Sequence, residues 1–198
     1  MLMDALEKRI SADGQVLNDH VLLVDSFLYH QVDAELMAQI GNEFKRLTEP
    51  MKPTRIVTIE SSGIAPAQMT ALYMKLPLVI MKKSASKILA DGILQTEVFS
   101  FTKNIAYQLT VKRGFIHPGD RVLLIDDFLA TGEAAAGAVK LIEALGAQVT
   151  AIGIVIEKSF QKGRKMLDAM GYPVISLARI ASMSCGCVEF VAAEEGSI

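Results

Sequence analysis

The residues of this 198-residue chain best suited to chemistry lie in one stretch, Val122-Leu123-Leu124-Ile125-Asp126-Asp127-Phe128-Leu129-Ala130-Thr131-Gly132-Glu133-Ala134. Its apolar run reads as a central parallel strand. Two carboxylates follow, and then a small-residue turn that opens a helix. Thr131-Gly132 allows the backbone amides at the helix start to point at an anion. Adjacent carboxylates would repel a phosphate, so they suit a diol, or a metal that the substrate carries. A phosphorylated sugar offers both. An Asp-Asp pair can also be no more than a solvated strand end, but the attached turn and helix favour a site.

A second strand-to-helix junction has similar makings. Residues 55–59 read as a strand, and Glu60-Ser61-Ser62-Gly63-Ile64-Ala65-Pro66 follows, with Pro66 suiting the first position of a helix. Ser61, Ser62 and Gly63, with the helix-terminal amides, could hold another anion. Alone, a Ser-Ser-Gly turn is a weak signal. Lys82 and Lys83, at the end of a strand read over residues 78–81, are either phosphate cations or two solvated lysines. His20, His30 and His117 are scattered and make no catalytic group. Cys185-Gly186-Cys187 lacks the second cluster that a zinc site needs and reads as two incidental thiols.

The elements that must position these residues alternate. Strand patterns at 55–59, 78–81, 121–125 and 149–156 are separated by helical ones, which predicts an α/β fold with a central parallel sheet flanked by helices. Residues 33–47 carry Leu36, Ile40, Phe44 and Leu47 at three-and-four spacing behind an Asp cap. The helix after the acidic pair carries Ala135, Ala138, Ile142 and Leu145, with Gly146 as its stop. Both anion turns then sit at the carboxyl ends of strands, where open α/β sheets bind ligands. Residues 84–111 differ: a loop and then a hairpin, with alternating stretches at 97–102 and 106–111, make a candidate lid.

No linker interrupts the chain, so a single domain over 1–198 is expected. Hydrophobic residues at 51% and charged residues at 21% fit a globular fold. A net charge of −2 and a pI near 5.9 argue against a nucleic-acid surface. Residues 1–10 read as a short charged amphipathic helix without the apolar core of a signal peptide, and no run approaches the ~18 apolar residues of a membrane span. A cytoplasmic protein without membrane or nucleic-acid partners is expected.

The acidic motif resembles the phosphoribosyl pyrophosphate (PRPP) binding motif of the type I phosphoribosyltransferases. Val24-Asp25-Ser26-Phe27-Leu28, Ile59 to Pro66 and Gly153-Ile154-Val155-Ile156-Glu157-Lys158-Ser159-Phe160 extend the likeness over most of the chain and narrow it to the xanthine-using branch. The resemblance implies transfer of the 5-phosphoribosyl group of PRPP to a 6-oxopurine, with Mg²⁺ carried by PRPP and no direct metal ligand on the protein. Asp126 and Asp127 would meet the ribose hydroxyls, and Ala130, Thr131, Gly132, Glu133 and Ala134 the 5′-phosphate. Ser61, Ser62 and Gly63 would meet pyrophosphate, and Leu22, Tyr29 and Lys158 the base. A homodimer is also implied, with a small hood from about residues 1–32 and 174–198. One position departs: the xanthine branch carries Asn where this chain has Tyr29, which keeps hypoxanthine or guanine open as acceptors. A PRPP-sensing regulator on the same fold would need a DNA-binding module, for which no basic helix is visible. A receiver domain would need its acidic pair at the first strand.

Overall fold

The computed structural model describes residues 2–84, 92–100 and 105–192. Helix α1 (Leu2–Asp13) leads into strands β1 (Gln15–Asn18) and β2 (Val21–Leu23), then a single π-turn at Asp25–Tyr29. Helix α2 (Ala34–Thr48) starts under an Asp33 side chain that accepts from the Leu36 amide at 3.0 Å. Strand β3 (Arg55–Ile59), α3 (Ile64–Met74) and β4 (Leu78–Met81) follow. Next come the hairpin β5 (Ile93–Ser100) and β6 (Ile105–Lys112), then β7 (Arg121–Leu129), α4 (Glu133–Ala144), β8 (Gln148–Lys158) and α5 (Gly163–Ala169). Strands β9 (Val174–Ser184) and β10 (Cys187–Phe190) complete the order.

Six strands form one sheet in the order β10-β9-β8-β7-β3-β4, parallel except for antiparallel β10 at an edge. The alternation of a strand splits β7 between two cores. Leu123 and Ile125 enter the core beneath α1, α2 and α3, with Phe44 and Ile40. Val122 and Leu124 enter the other, with Ala138, Val139 and Ile142 of α4. The β5–β6 hairpin lies against α4 at Gly137, where a Cβ would come within 2.5 Å of Val98 Cγ2. It is tied to the end of β4 by a reciprocal pair of hydrogen bonds between Lys82 and Thr110, at 2.9 and 2.8 Å.

Four sequence expectations change. Strand β7 runs to Leu129 rather than stopping at residue 125, because β8 continues to pair with it past the acidic residues, from Asp126↔Ile154 to Leu129↔Glu157. Pro66 is the third residue of α3, still inside the first turn, where its missing N–H goes unmissed. The hairpin strands are longer than the stretches expected at 97–102 and 106–111, and residues 85–91 and 101–104 of the expected lid fall outside the described residues. Strands β9 and β10 are additional to the strands expected from the sequence.

Candidate active site

The site is built where β7 outruns its neighbour. Strand β3 pairs with β7 up to Thr58↔Ile125, while β8 backs β7 four residues further. Beyond Ile125, the β3 side of β7 is therefore open, and the turn leaving β3 fills the opening. Gly63 presses there against Asp126: a Cβ on it would lie 3.1 Å from Asp126 Oδ1 and 2.6 Å from Thr58 Oγ1. The bare glycine thus lets the 61–63 turn lie directly against Asp126, although Ser61, Ser62 and Gly63 do not line the cleft that holds the acidic pair. Thr58 Oγ1 is buried without a protein partner.

Asp126 is 7% exposed, and its Oδ1 accepts from the Asp127 amide at 3.1 Å. Burial, and next the charge of Asp127, raise its carboxyl well above the ordinary range, while Lys83 opposes the rise. The two lysines after β4 part company. Lys82 Nζ pairs with Glu60 Oε2 at 3.3 Å. Lys83 enters the cleft, with its Nζ 5.8 Å from the Tyr107 ring centre. That cleft has a volume of about 300 Å³ and joins Lys83, Tyr107, Asp126, Asp127, Thr131 and Gly132.

The turn from β7 into α4 forms the cleft's far wall, with Ala130, Thr131, Gly132, Glu133 and Ala134 all lining it. Gly132 sits at φ 86°, a left-handed conformation that glycine adopts without strain. No side chain caps α4, so its first amides stay available to an anion. Residues of the α5 region buttress the turn. The Gly163 amide donates to Ala130 O at 2.9 Å, and Lys162 Nζ meets Glu133 Oε1 at 3.2 Å.

A second cleft opens on the other side of Ala130 and Thr131, lined by Asn18, His20, Val21 and Lys158. Lys158 Nζ lies 5.2 Å from the Phe128 ring centre and donates to His20 O at 2.5 Å. Burial lowers the ammonium's pKa, with Asp127 acting the other way. Tyr29 lies 6.1 Å from Phe128 between ring centres, tilted by 49°. Burial, then Asp127, drive its hydroxyl pKa upward. Phe128 is thus flanked by Tyr29 and Lys158. Leu22 is 4% exposed and belongs to the core, and its neighbour Val21 reaches the cleft.

The structure therefore gathers Asp126, Asp127 and the 130–134 turn around one cleft, with Gly63 against Asp126, and brings Lys158 to the next, while Tyr29 lines neither and meets Phe128. Sequence reasoning missed Phe128, His20 and Val21. Phe128 had a visible signal, since an aromatic side chain between an acidic pair and a small-residue turn has little reason to be there except to pack or stack. His20 and Val21 had none, because a chain crossing of over a hundred residues brings them to Lys158.

This is an open α/β fold with a candidate ligand site at the carboxyl edge of its parallel strands. Residues 28–178 match the phosphoribosyl transferase domain, and the chain belongs to that family. It is 56% identical to xanthine phosphoribosyltransferase 1 of Clostridium botulinum, over 96% of this chain and 100% of that protein. It is 53% identical to xanthine phosphoribosyltransferase of Clostridium acetobutylicum, over 96% and 100%. Among solved structures, adenine phosphoribosyltransferase of Thermoanaerobacter pseudethanolicus superposes with a TM-score of 0.73 at 25% identity, over 88% of this chain and 99% of that one. Among the described residues, no helix is long and apolar enough to cross a membrane.

Proposed function

We propose that this protein transfers the 5-phosphoribosyl group of PRPP to xanthine, releasing pyrophosphate and forming XMP, as a step of purine salvage. The observation that carries the reading is the near full-length identity with proteins named xanthine phosphoribosyltransferase. In the reaction, a ring nitrogen of the base bonds to the ribose carbon as the bond to pyrophosphate oxygen breaks. The bonding electrons leave with pyrophosphate, and the nitrogen's proton is lost. Such displacements pass through an oxocarbenium-like transition state, so no covalent nucleophile is needed.

Each part of the site then has a role. Asp126 and Asp127 accept hydrogen bonds from the ribose hydroxyls, and the 130–134 turn wraps the 5′-phosphate. Ser61, Ser62 and Gly63 receive the pyrophosphate, with Lys83 as the cation at that end. Phe128 offers its face to the base, Lys158 its ammonium to a purine oxygen, and Tyr29 a ring and a hydroxyl. The segments around β1–β2 and β9–β10 form a hood over the base. Leu22 contributes from behind, supporting the backbone of Val21.

Two carboxylates beside a diol suit a hard cation. In this reading Mg²⁺ would be carried by PRPP, with Asp126 and Asp127 beside the ribose that bears it. When bound, Mg²⁺ would supply positive charge to the departing pyrophosphate. We place the enzyme in the cytoplasm as a homodimer, following its family. The test is to incubate the protein with PRPP, Mg²⁺ and each of xanthine, guanine, hypoxanthine and adenine, and to identify the nucleotide formed. XMP is the expected product. Formation of IMP or GMP in preference would favour the second reading that Tyr29 opens, and formation of no nucleotide would overturn both.

A further inference from the structure

The cleft residues described so far leave one buried charge unused. Glu157 is 0% exposed, sits one residue before Lys158, and faces no cleft. Its carboxylate is fully occupied. Ser159 Oγ donates to Oε1 at 2.7 Å, and Ser176 Oγ to Oε2 at 2.5 Å. Arg164 brings Nε to Oε2 at 3.1 Å and adds a second bond through Nη2. Arg179 Nε stands 3.6 Å from Oε1. Arg164 also reaches β9, donating to Val174 O at 2.7 Å and to Ser176 Oγ at 3.1 Å.

The partners define what this carboxylate holds. Glu157 and Arg164 are the two ends of a short excursion of chain between β8 and α5. Between them lie Lys158, at the base cleft, and then Lys162 and Gly163, which brace the phosphate turn at Glu133 and Ala130. Gly163 has no room to drift: a Cβ there would come within 2.5 Å of Ala130 O, and one on Gly132 within 3.1 Å of Gly163 Cα. A shift of Arg164 is therefore passed to the turn around Gly132, and a shift of Glu157 to Lys158.

We propose that Glu157 and Arg164 are positioning residues, a side-chain clasp that fixes the base-facing ammonium of Lys158 relative to the 130–134 phosphate turn. A buried, fully bonded ion pair is weak evidence for added stability, since similar-sized apolar packing often serves as well. Supporting groups that lock the residues touching a ligand do have that second use. The clasp rests on the phosphoribosyl-transfer reading, because the distance it sets is the span between purine and 5′-phosphate. Its effect on the chain itself does not.

The test uses Glu157→Gln, which keeps the volume and removes the charge, and Arg164→Lys, which keeps the charge and removes the fork. Hydrogen exchange by mass spectrometry reads the clasp without any substrate. Faster exchange is expected at residues 130–134 and 158–163, with α2 unchanged. Equal protection at both segments, or a uniform loss over the whole chain, would overturn the proposal. Steady-state kinetics of the same variants should show kcat/KM falling about ten- to a hundredfold for PRPP and the base together. Arg164→Lys should lie between wild type and Glu157→Gln. Loss for one substrate alone would overturn the clasp. A wild type with no turnover would instead sink the functional reading, leaving the exchange result to judge the clasp.

Discussion

Replacing Gly63 with alanine should cripple the use of PRPP while leaving a folded protein. The new Cβ would sit 2.6 Å from Thr58 Oγ1, 3.1 Å from Asp126 Oδ1 and 3.3 Å from Ile59 O. Backbone strain is not the cause, since Gly63 has φ −67° and ψ −14°, values any residue adopts. The clash is steric. If about 3.5 Å is a comfortable approach, Thr58 or the 61–63 turn must give by nearly 1 Å. Thr58 is fully buried in a strand paired on both sides, so rotating it is resisted. Overpacking of this kind costs about 1–3 kcal/mol, and each kcal/mol lowers Tm by about 2–4 °C in a chain of this size. A displacement near 1 Å at the reacting geometry can cost about a hundredfold in rate. The loss should therefore fall mainly on kcat/KM for PRPP, measured at a temperature where melting curves show both proteins folded. Thr58→Ala removes the atom most tightly met, so adding it to Gly63→Ala should recover much of the loss. Wild-type PRPP kinetics in Gly63→Ala, or a double variant no better than the single one, would refute the reasoning.

Asp126→Asn with Asp127→Asn should remove turnover without lowering Tm, because burial already disfavours the ionised Asp126; residual activity near wild type in a well-folded double variant would exclude the pair from ribose binding. Lys158→Ala should weaken 6-oxopurines far more than PRPP, and Tyr29→Asn should raise the kcat/KM ratio of xanthine over hypoxanthine, each by an amount set by one buried hydrogen bond, about 1–3 kcal/mol; unchanged base ratios in steady-state assays would move the base elsewhere. Stability should respond to pH with opposite signs at two carboxylates. Burial works to raise the pKa of Glu157, but bonds from Arg164, Ser176 and Ser159 prevail and lower it; its contribution is present above the ordinary carboxylate pKa and is lost as pH falls through the folded value. Asp126 is raised, so its contribution is present at low pH and is lost as pH rises through its folded value. Denaturant melts across pH of Glu157→Gln and Asp126→Asn against wild type should show these two trends, and parallel curves would refute them.

Much of this was legible in the chain, and the failures have physical causes. Strands β3 and β4 were read with their observed limits because both are short apolar runs with clear breaks. The Asp33 cap and the Gly146 stop, at φ 79°, worked because each meets a local backbone need. The end of β7 was misread because acidic residues look like loop, whereas backbone pairing with β8 ignores side-chain polarity. Strand β9 went unseen since its serines and Arg179 break the apolar run, yet Ser176 donates to the buried Glu157 and Arg179 stands 3.6 Å from the same carboxylate. Contacts made across long stretches of chain, such as Lys158 with His20, leave no mark on local pattern.

The seat of α1 has a consequence for biosynthesis. Leu6 and Ile10 are fully buried in a core that includes Leu177, Ile180 and Met183 of β9, and α1 also touches β10. A ribosome emits α1 well before β9 and β10, which follow only after β3 to β8 have been made at roughly 5–20 residues per second. Until β9 and β10 appear, α1 has only part of its seat, the neighbouring α2, while β7 and the turn after it can already assemble. Closing so long a loop is entropically slow to begin. The packing of α1 against β9 and β10 should thus mature late on the ribosome, and should depend on whatever shields nascent apolar surface in the cell.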